Sequence, residues 1–179
     1  MSTLEFKRRD PCGRFGLKGP KAADWLQARG LVLPAAPNTW AADATLLVAR
    51  LGGSEFFLED CARGLTLCGA EPWHGAYPPG VYPVLREDAA FALCGDGACD
   101  VLAQVCNVNF GDLDVASHPV IMTMMIGVSV LVVPQAAGAG HRYLIWCDPT
   151  FGDYLEESLR TVVIESGGKQ TATLRGVST

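Results

Sequence analysis

Two stretches of this chain carry one pattern in register. Residues Phe15 to Leu26 read FGLKGPKAADWL, and Phe91 to Leu102 read FALCGDGACDVL. The shared positions give F-x-L-x-G-x-x-A-x-D-x-L. Apolar alternation leads into a glycine turn, and apolar residues at helical spacing follow it. The spacing predicts a strand turning sharply into a helix, written twice. That constrains the architecture more than any other feature of the chain.

The segments around the repeat extend it into two similar modules. In the first, a strand near Phe15–Leu17 leads into a helix from about Pro20 to Arg29, with Pro20 in the first turn and Gly30 as the stop. A loop with Pro34, Pro37 and Asn38 follows. Thr45–Leu51 reads as a strand, Gly52-Gly53 as a two-residue hairpin turn and Glu55–Glu59 as the partner strand. The second module has a strand at Asp88–Leu93, a helix at Asp96–Val105 and a hairpin of Val120–Met125 with Val128–Val133. After a Gly/Ala-rich loop at Gln135–His141 come a strand at Tyr143–Cys147 and a helix from Asp148 to about Ile164. Pro149 sits at the first position of that helix, and Arg160 follows Glu156 by four. Each β-α-β-β unit is too small to bury a sheet face alone, so two fused units share a core. The expected class is α+β with mostly antiparallel sheets.

The expected organisation is a first module over 1–60, a linker over 61–86, a second module over 87–166 and a flexible tail over 167–179. The linker is dense in Pro and Gly and carries Trp73, His74, Tyr77 and Tyr82. Its aromatics either line a surface that meets a partner, for which Trp73, Tyr77 and Tyr82 are the candidates, or plug the gap between the modules.

Composition excludes several function classes. The chain has 179 residues, 49% of them hydrophobic and 18% charged, enough apolar matter for a sizeable core. The net charge of −5, with no block of like charges, argues against nucleic acid and against an anionic membrane surface. The apolar run Val120–Val133 is shorter than the roughly 20 residues a spanning helix needs and is rich in β-branched residues. It therefore predicts two buried strands. The start Met1-Ser2-Thr3-Leu4-Glu5-Phe6-Lys7 lacks the apolar core of a signal peptide. Seven cysteines, at 12, 61, 68, 94, 99, 106 and 147, include no C-x-x-C pair and read mostly as small core residues of a reducing compartment. The expected location is the cytoplasm.

The same stretches resemble the glycine-cleavage T-protein (aminomethyltransferase) superfamily, and more narrowly the gamma subunit of heterotetrameric sarcosine oxidase and its relatives among multi-subunit N-methyl-amine dehydrogenases. The resemblance rests on Phe15 to Leu26, Leu33-Pro34, Pro37-Asn38, Val48 to Gly52 and Glu55 to Leu58. It continues through Phe91 to Leu102, Val105 to Phe110, Thr123 to Val133, Tyr143 to Trp146 and Tyr154-Leu155. It implies a truncated aminomethyltransferase-like fold. It also implies a non-catalytic accessory subunit in an oxidoreductase complex of one-carbon and amine metabolism. FAD, FMN, NAD, tetrahydrofolate and zinc would then be held by larger flavin- and folate-binding partners and by a small subunit. The other reading is a free-standing binder of folate or another small molecule. The folate enzymes place an Asp, in an N-D pair, just after their first module helix. Here that segment is Arg29-Gly30-Leu31-Val32-Leu33, and its counterpart is Cys106-Asn107-Val108-Asn109. An amide cannot accept a proton. No catalytic, cofactor-binding or metal-ligating residue is assigned to this chain.

Several residues admit a sharper role beside a plainer one. Cys147 with His141 is a conceivable nucleophile–base pair, against a chance pairing in a cysteine-rich chain. Cys94, Cys99 and Cys106 form a metal site only if they converge. Asp24 and Asp100 occupy matched repeat positions, either as a functional pair or as exposed helix residues. Gly19 and Gly95 open helices whose amides can hold an anion, or they serve the strand-to-helix geometry alone.

Overall fold

A computed structural model of the chain describes residues 3–9, 12–43, 46–60, 76–138 and 140–170. It divides into two units. The smaller unit spans Pro11–Glu87 with Ser117–Ile121, and the other holds Met1–Asp10, Asp88–Ala116 and Met122–Thr179.

The strands in chain order are β1 Glu5–Arg8, β2 Gly13–Lys18, β3 Thr39–Asp43, β4 Leu46–Arg50, β5 Glu55–Asp60, β6 Tyr82–Val84, β7 Ala89–Cys94, β8 Ile121–Met125, β9 Val128–Ala137, β10 Gly140–Cys147 and β11 Lys169–Gln170. Among the described residues the α-helices are α1 Ala22–Gln27, α2 Ala98–Val105 and α3 Gly152–Glu165. One sheet has the order β3-β4-β5-β2-β6 and the other β11-β1-β7-β10-β9-β8. The fold is α+β, and every strand pairing whose register is resolved is antiparallel except that of β11 with β1.

Read from the other end, the smaller sheet is β6-β2-β5-β4-β3, and within the larger lies β1-β7-β10-β9-β8. The two orders correspond strand for strand, and the repeat aligns β2 with β7. Lys18 pairs with Tyr82 as Cys94 pairs with Glu5, and Phe15 pairs with Leu58 as Phe91 pairs with Ile145. The strand that precedes each module in the chain thus joins the sheet of the other. β1 runs just before β2 but pairs with β7; β6 runs just before β7 but pairs with β2. The modules have exchanged their leading strands.

That exchange corrects the expected boundaries. Glu5–Arg8 lies within the expected first module but belongs to the sheet of the second. Tyr82–Val84, expected in the linker, is an edge strand of the first. Neither is legible locally, because pairing with a strand more than sixty residues away leaves no trace in a three- or four-residue pattern. Arg8 reinforces the exchange: its Nη1 donates to Asp153 at 2.8 Å and to Glu156 at 2.9 Å on α3, and these carboxylates raise its pKa, Asp153 foremost.

Other differences are local. β3 falls where a loop was expected, since Pro34, Pro37 and Asn38 obscure the short strand after them. Its outer side is met by the His118 carbonyl, which accepts from Trp40 N at 2.9 Å. Arg50 pairs with Phe56, and Leu51 N donates to Glu55 O at 2.8 Å, so the hairpin loop is Gly52-Gly53-Ser54, three residues rather than two. Arg50 braces it by donating to the carbonyls of Gly52, Gly53, Pro34 and Ala35. The Gln135–His141 segment is mostly strand: Gln135 pairs with Arg142 and Ala137 with Gly140. At the expected flexible tail, β11 pairs with β1, Lys169 N donating to Leu4 O at 2.9 Å. Cys12 is disulfide-bonded, so the cysteines are not all free thiols; Cys94, Cys99, Cys106 and Cys147 are free.

The β8–β9 turn is Ile126-Gly127, both at positive φ, 49° and 80°. A β-branched residue there is strained, because its Cβ crowds the backbone.

The core of the smaller unit joins Leu17, Val48, Phe56 and Leu58 to Ala22, Trp25 and Leu26 of α1. In the larger unit Phe91, Leu93, Tyr143 and Ile145, Leu102 of α2 and Leu155 and Leu159 of α3 are fully buried. Leu102→Ala is expected to cost about 2–5 kcal/mol in equilibrium urea unfolding. A loss below roughly 0.5 kcal/mol would mean that this face of α2 is not core.

Candidate functional site

The two glycine turns are built alike. Gly19 and Gly95 have φ of 125° and 99°, and Ala22 N and Ala98 N donate back to their carbonyls at 3.0 and 3.2 Å. Each glycine faces the carbonyl that leads into the exchanged strand. A Cβ on Gly19 would lie 2.3 Å from Gly80 O, and one on Gly95 would lie 2.1 Å from Thr3 O. In the first module that oxygen also accepts from Lys21 N at 3.0 Å. In that module the amide Lys21 N is already taken by backbone oxygen, and in both modules the glycine serves close chain approach.

The acids and amides at the matched positions are dispersed. Asp24 and Asp100 are exposed in the first turns of α1 and α2. Asn109 caps a short 3-10 turn, accepting from Gly111 N at 3.1 Å and donating to Asp112 Oδ2 at 2.7 Å. Asn107 is exposed.

Cys61 and Cys68 lie outside the described residues, and the four described thiols are poorly placed for chemistry. His141 and Cys147 lie six residues apart on one strand, about 20 Å at the usual rise, so they form no pair. Burial, then Asp88 and Asp148, push the Cys147 thiol up to about 11. It is therefore protonated at neutral pH, and the thiolate is the nucleophilic form. Burial and Glu5 raise Cys94 as well. Cys99 Sγ lies 2.8 Å from the Tyr143 hydroxyl, whose pKa is raised by its own burial and then by that contact. Cys106 meets Thr123 at 3.7 Å. Among the described residues no three His, Cys, Asp or Glu side chains converge on a metal position.

The aromatic loop is described only in part, and Trp73 and His74 lie outside the described residues. Tyr77 is half-buried. Its ring stacks on Phe15 at 6.4 Å and tilts against Trp25 at 5.3 Å, and burial raises its pKa. Arg29 covers the other partner, 3.4 Å from the Trp25 ring centre. Tyr77 thus packs within its own unit, and Tyr77→Ala is expected to lower stability by about 1–3 kcal/mol, read as a fall in thermal midpoint. Tyr82 differs. It stands 54% exposed on the edge strand β6, beside Leu85 at 82%.

No protein-family model matches the chain, and no curated protein does. Solved structures do. The heterotetrameric sarcosine oxidase from Corynebacterium sp. U-96, determined in complex with pyrrole 2-carboxylate, contains a chain that is similar at 22% identity and a TM-score of 0.72. The likeness covers 94% of this chain and 88% of that one. The glycine cleavage system aminomethyltransferase T from Bartonella henselae is similar at 14% identity and a TM-score of 0.68, over 95% of this chain but 48% of that one. The chain spans about half the length of that enzyme and nearly all of the sarcosine oxidase chain. It therefore has the aminomethyltransferase-like fold, in the truncated form expected from the sequence.

Proposed function

We propose that the chain is a non-catalytic, gamma-type accessory subunit of a multi-subunit oxidase or dehydrogenase that is flavin- and tetrahydrofolate-linked and acts on sarcosine or another N-methyl amine. The observation that carries this reading is the likeness over nearly the whole of one chain of a heterotetrameric oxidase, against a half-length likeness to an aminomethyltransferase. Fold alone does not fix function, so local features must agree with it. Where the resemblance calls for a carboxylate after each module helix, this chain has Arg29 to Leu33 and the amides of Asn107 and Asn109. Flavin, nicotinamide, folate and zinc then belong to the partner subunits. Of the candidates among the described residues, Tyr82, with Leu85, is better placed to meet them than Tyr77.

Affinity purification of the tagged chain from its native host tests the reading. The expected result is a yellow complex with FAD- or FMN-bearing subunits that oxidises an N-methyl amine, while the chain purified alone is colourless and inactive. Recovery of the chain without a flavoprotein would overturn it. Folate binding by that lone chain would favour the free-standing binder.

A further inference from the structure

We propose that the two halves of the chain, residues 1–60 and 76–179, are each other's binding partner, and that the peptide link between them is dispensable once they have folded together. Each unit is built from both halves. The N-terminal half lends β1 to the larger unit, whose other strands and helices come from the C-terminal half. The C-terminal half lends β6 and residues 117–121 to the smaller unit, whose other elements come from the N-terminal half. Two clasps therefore join the halves, one inside each unit.

The first clasp is β1. All four of its residues pair with β7, and Lys169 N donates to Leu4 O at 2.9 Å. Leu4 and Phe6 are buried, and Phe6 stacks on Phe91 with ring centres 5.7 Å apart. Arg8 adds its two bonds to Asp153 and Glu156. The second clasp has more parts. Tyr82, Pro83 and Val84 pair with Lys18, Leu17 and Gly16. Val81 is buried in the core with Leu17, Trp25 and Phe56, and Tyr77 stacks on Phe15. Gly80 O accepts from Lys21 N at 3.0 Å. Residues 117–121 then meet β3: His118 O accepts from Trp40 N at 2.9 Å, and Val120 N donates to Asn38 O at 2.7 Å.

Separated, each half would lose what the other covers. Without β1, β7 has an open edge beside buried apolar side chains. Without β6 and Val81, β2 has an open edge and the core around Leu17 and Trp25 is uncovered. Shared ladders and buried apolar side chains are what hold permanent complexes of separate chains. The clasps also act together. While one is closed, the other recloses as an intramolecular step, so release needs both open at once.

A recognition site for a sequence-specific protease, inserted between Gly69 and Ala70 of the full chain and cut after folding, tests this. A thiol reductant is kept present so that no disulfide joins the pieces, since Cys12 is disulfide-bonded. The cut chain is expected to elute as one species at the volume of the uncut chain, with both pieces in equal amounts, and to separate only in denaturant. Separate elution of the pieces, or their precipitation on cutting, overturns the proposal. The clasps are then loosened singly. Cut chain carrying a heavy-isotope label is mixed with unlabelled cut chain, and mixed complexes are followed by native mass spectrometry. Phe6→Leu and Val81→Ala should each speed this exchange about tenfold or more, while the uncut variants still fold by circular dichroism. Val32→Ala, at an exposed site in the N-terminal half, should leave the exchange rate as it is. Exchange that neither Phe6→Leu nor Val81→Ala speeds also overturns the proposal, because the pieces would then be held elsewhere than at the two clasps.

Discussion

Replacing Gly95 with alanine is expected to cost about 4 kcal/mol or more, enough to leave much of the chain unfolded. Two effects add there. At φ of 99° an L side chain is strained, by roughly 1–2 kcal/mol. The new Cβ would also lie 2.1 Å from Thr3 O, a backbone atom that cannot move without carrying β1 with it. Gly97 separates the two effects. Its φ is 87°, but a Cβ there meets nothing nearer than Leu4 Cδ2 at 3.9 Å. Gly97→Ala should therefore cost only the strain, about 1–2 kcal/mol. The first module repeats the contrast, with Gly19 against Gly80 O at 2.3 Å and Gly30 open. Equilibrium urea unfolding of the four alanine variants should give two severe and two mild losses. Equal losses at Gly95 and Gly97 would mean that β1 does not cross the turn closely.

These glycines show how far the sequence could be read. The repeat placed Gly19 and Gly95 at strand-to-helix turns, because punctuation and apolar spacing are local signals. Their second purpose, admitting the carbonyl before an exchanged strand, depends on Gly80 and Thr3, which lie far away in the chain. Nothing in Tyr82-Pro83-Val84 or Glu5-Phe6-Lys7-Arg8 says which sheet each joins. β3 was hidden by the prolines before it, and the Gly/Ala-rich end of β9 is held as strand by its neighbour β10 rather than by its own residues. The helices were readable from punctuation and spacing: Asp148 caps, and Pro149 opens, a 3-10 turn that leads into the last one, and within it Glu156 binds Arg160 at 2.9 Å.

The candidate surface was less legible than the fold. Aromatic residues in a loop suit a partner and a plug equally, and only packing separates the two uses. Tyr77 stacks inward and Tyr82 stands out, although both sit among prolines. Met122 and Met124 of the β8–β9 hairpin, both exposed, passed for core because an apolar run looks the same whether one of its faces is covered or bare. Alternation along β8, with Met122 and Met124 on one face and buried Met125 on the other, becomes informative only once the strand is known to lie at the sheet edge.

Glu59→Ala is expected to destabilise the chain by about 3–5 kcal/mol, the usual cost of breaking a buried ion pair by removing one partner. Glu59 and Arg14 face each other across β5 and β2 with Oε2 and Nε 2.7 Å apart, and their side chains are 1% and 8% exposed. Removing the carboxylate takes away the 2.7 Å partner of a guanidinium that is 8% exposed. The same strand supplies the comparison. Glu55, two alternations away, accepts from Arg86 Nη2 at 3.2 Å, but its side chain is 43% exposed. Solvent screens that pair, so Glu55→Ala should cost less than about 1 kcal/mol. Salt separates them further: 1 M sodium chloride shortens the Debye length to about 3 Å, weakening the Glu55 pair and leaving the Glu59 pair largely intact. The readout is urea unfolding of both variants with and without salt. Similar small losses for the two would show that water reaches Arg14. The Arg14–Glu59 contact would then be a surface pair and not one of the interactions that hold β2 against β5.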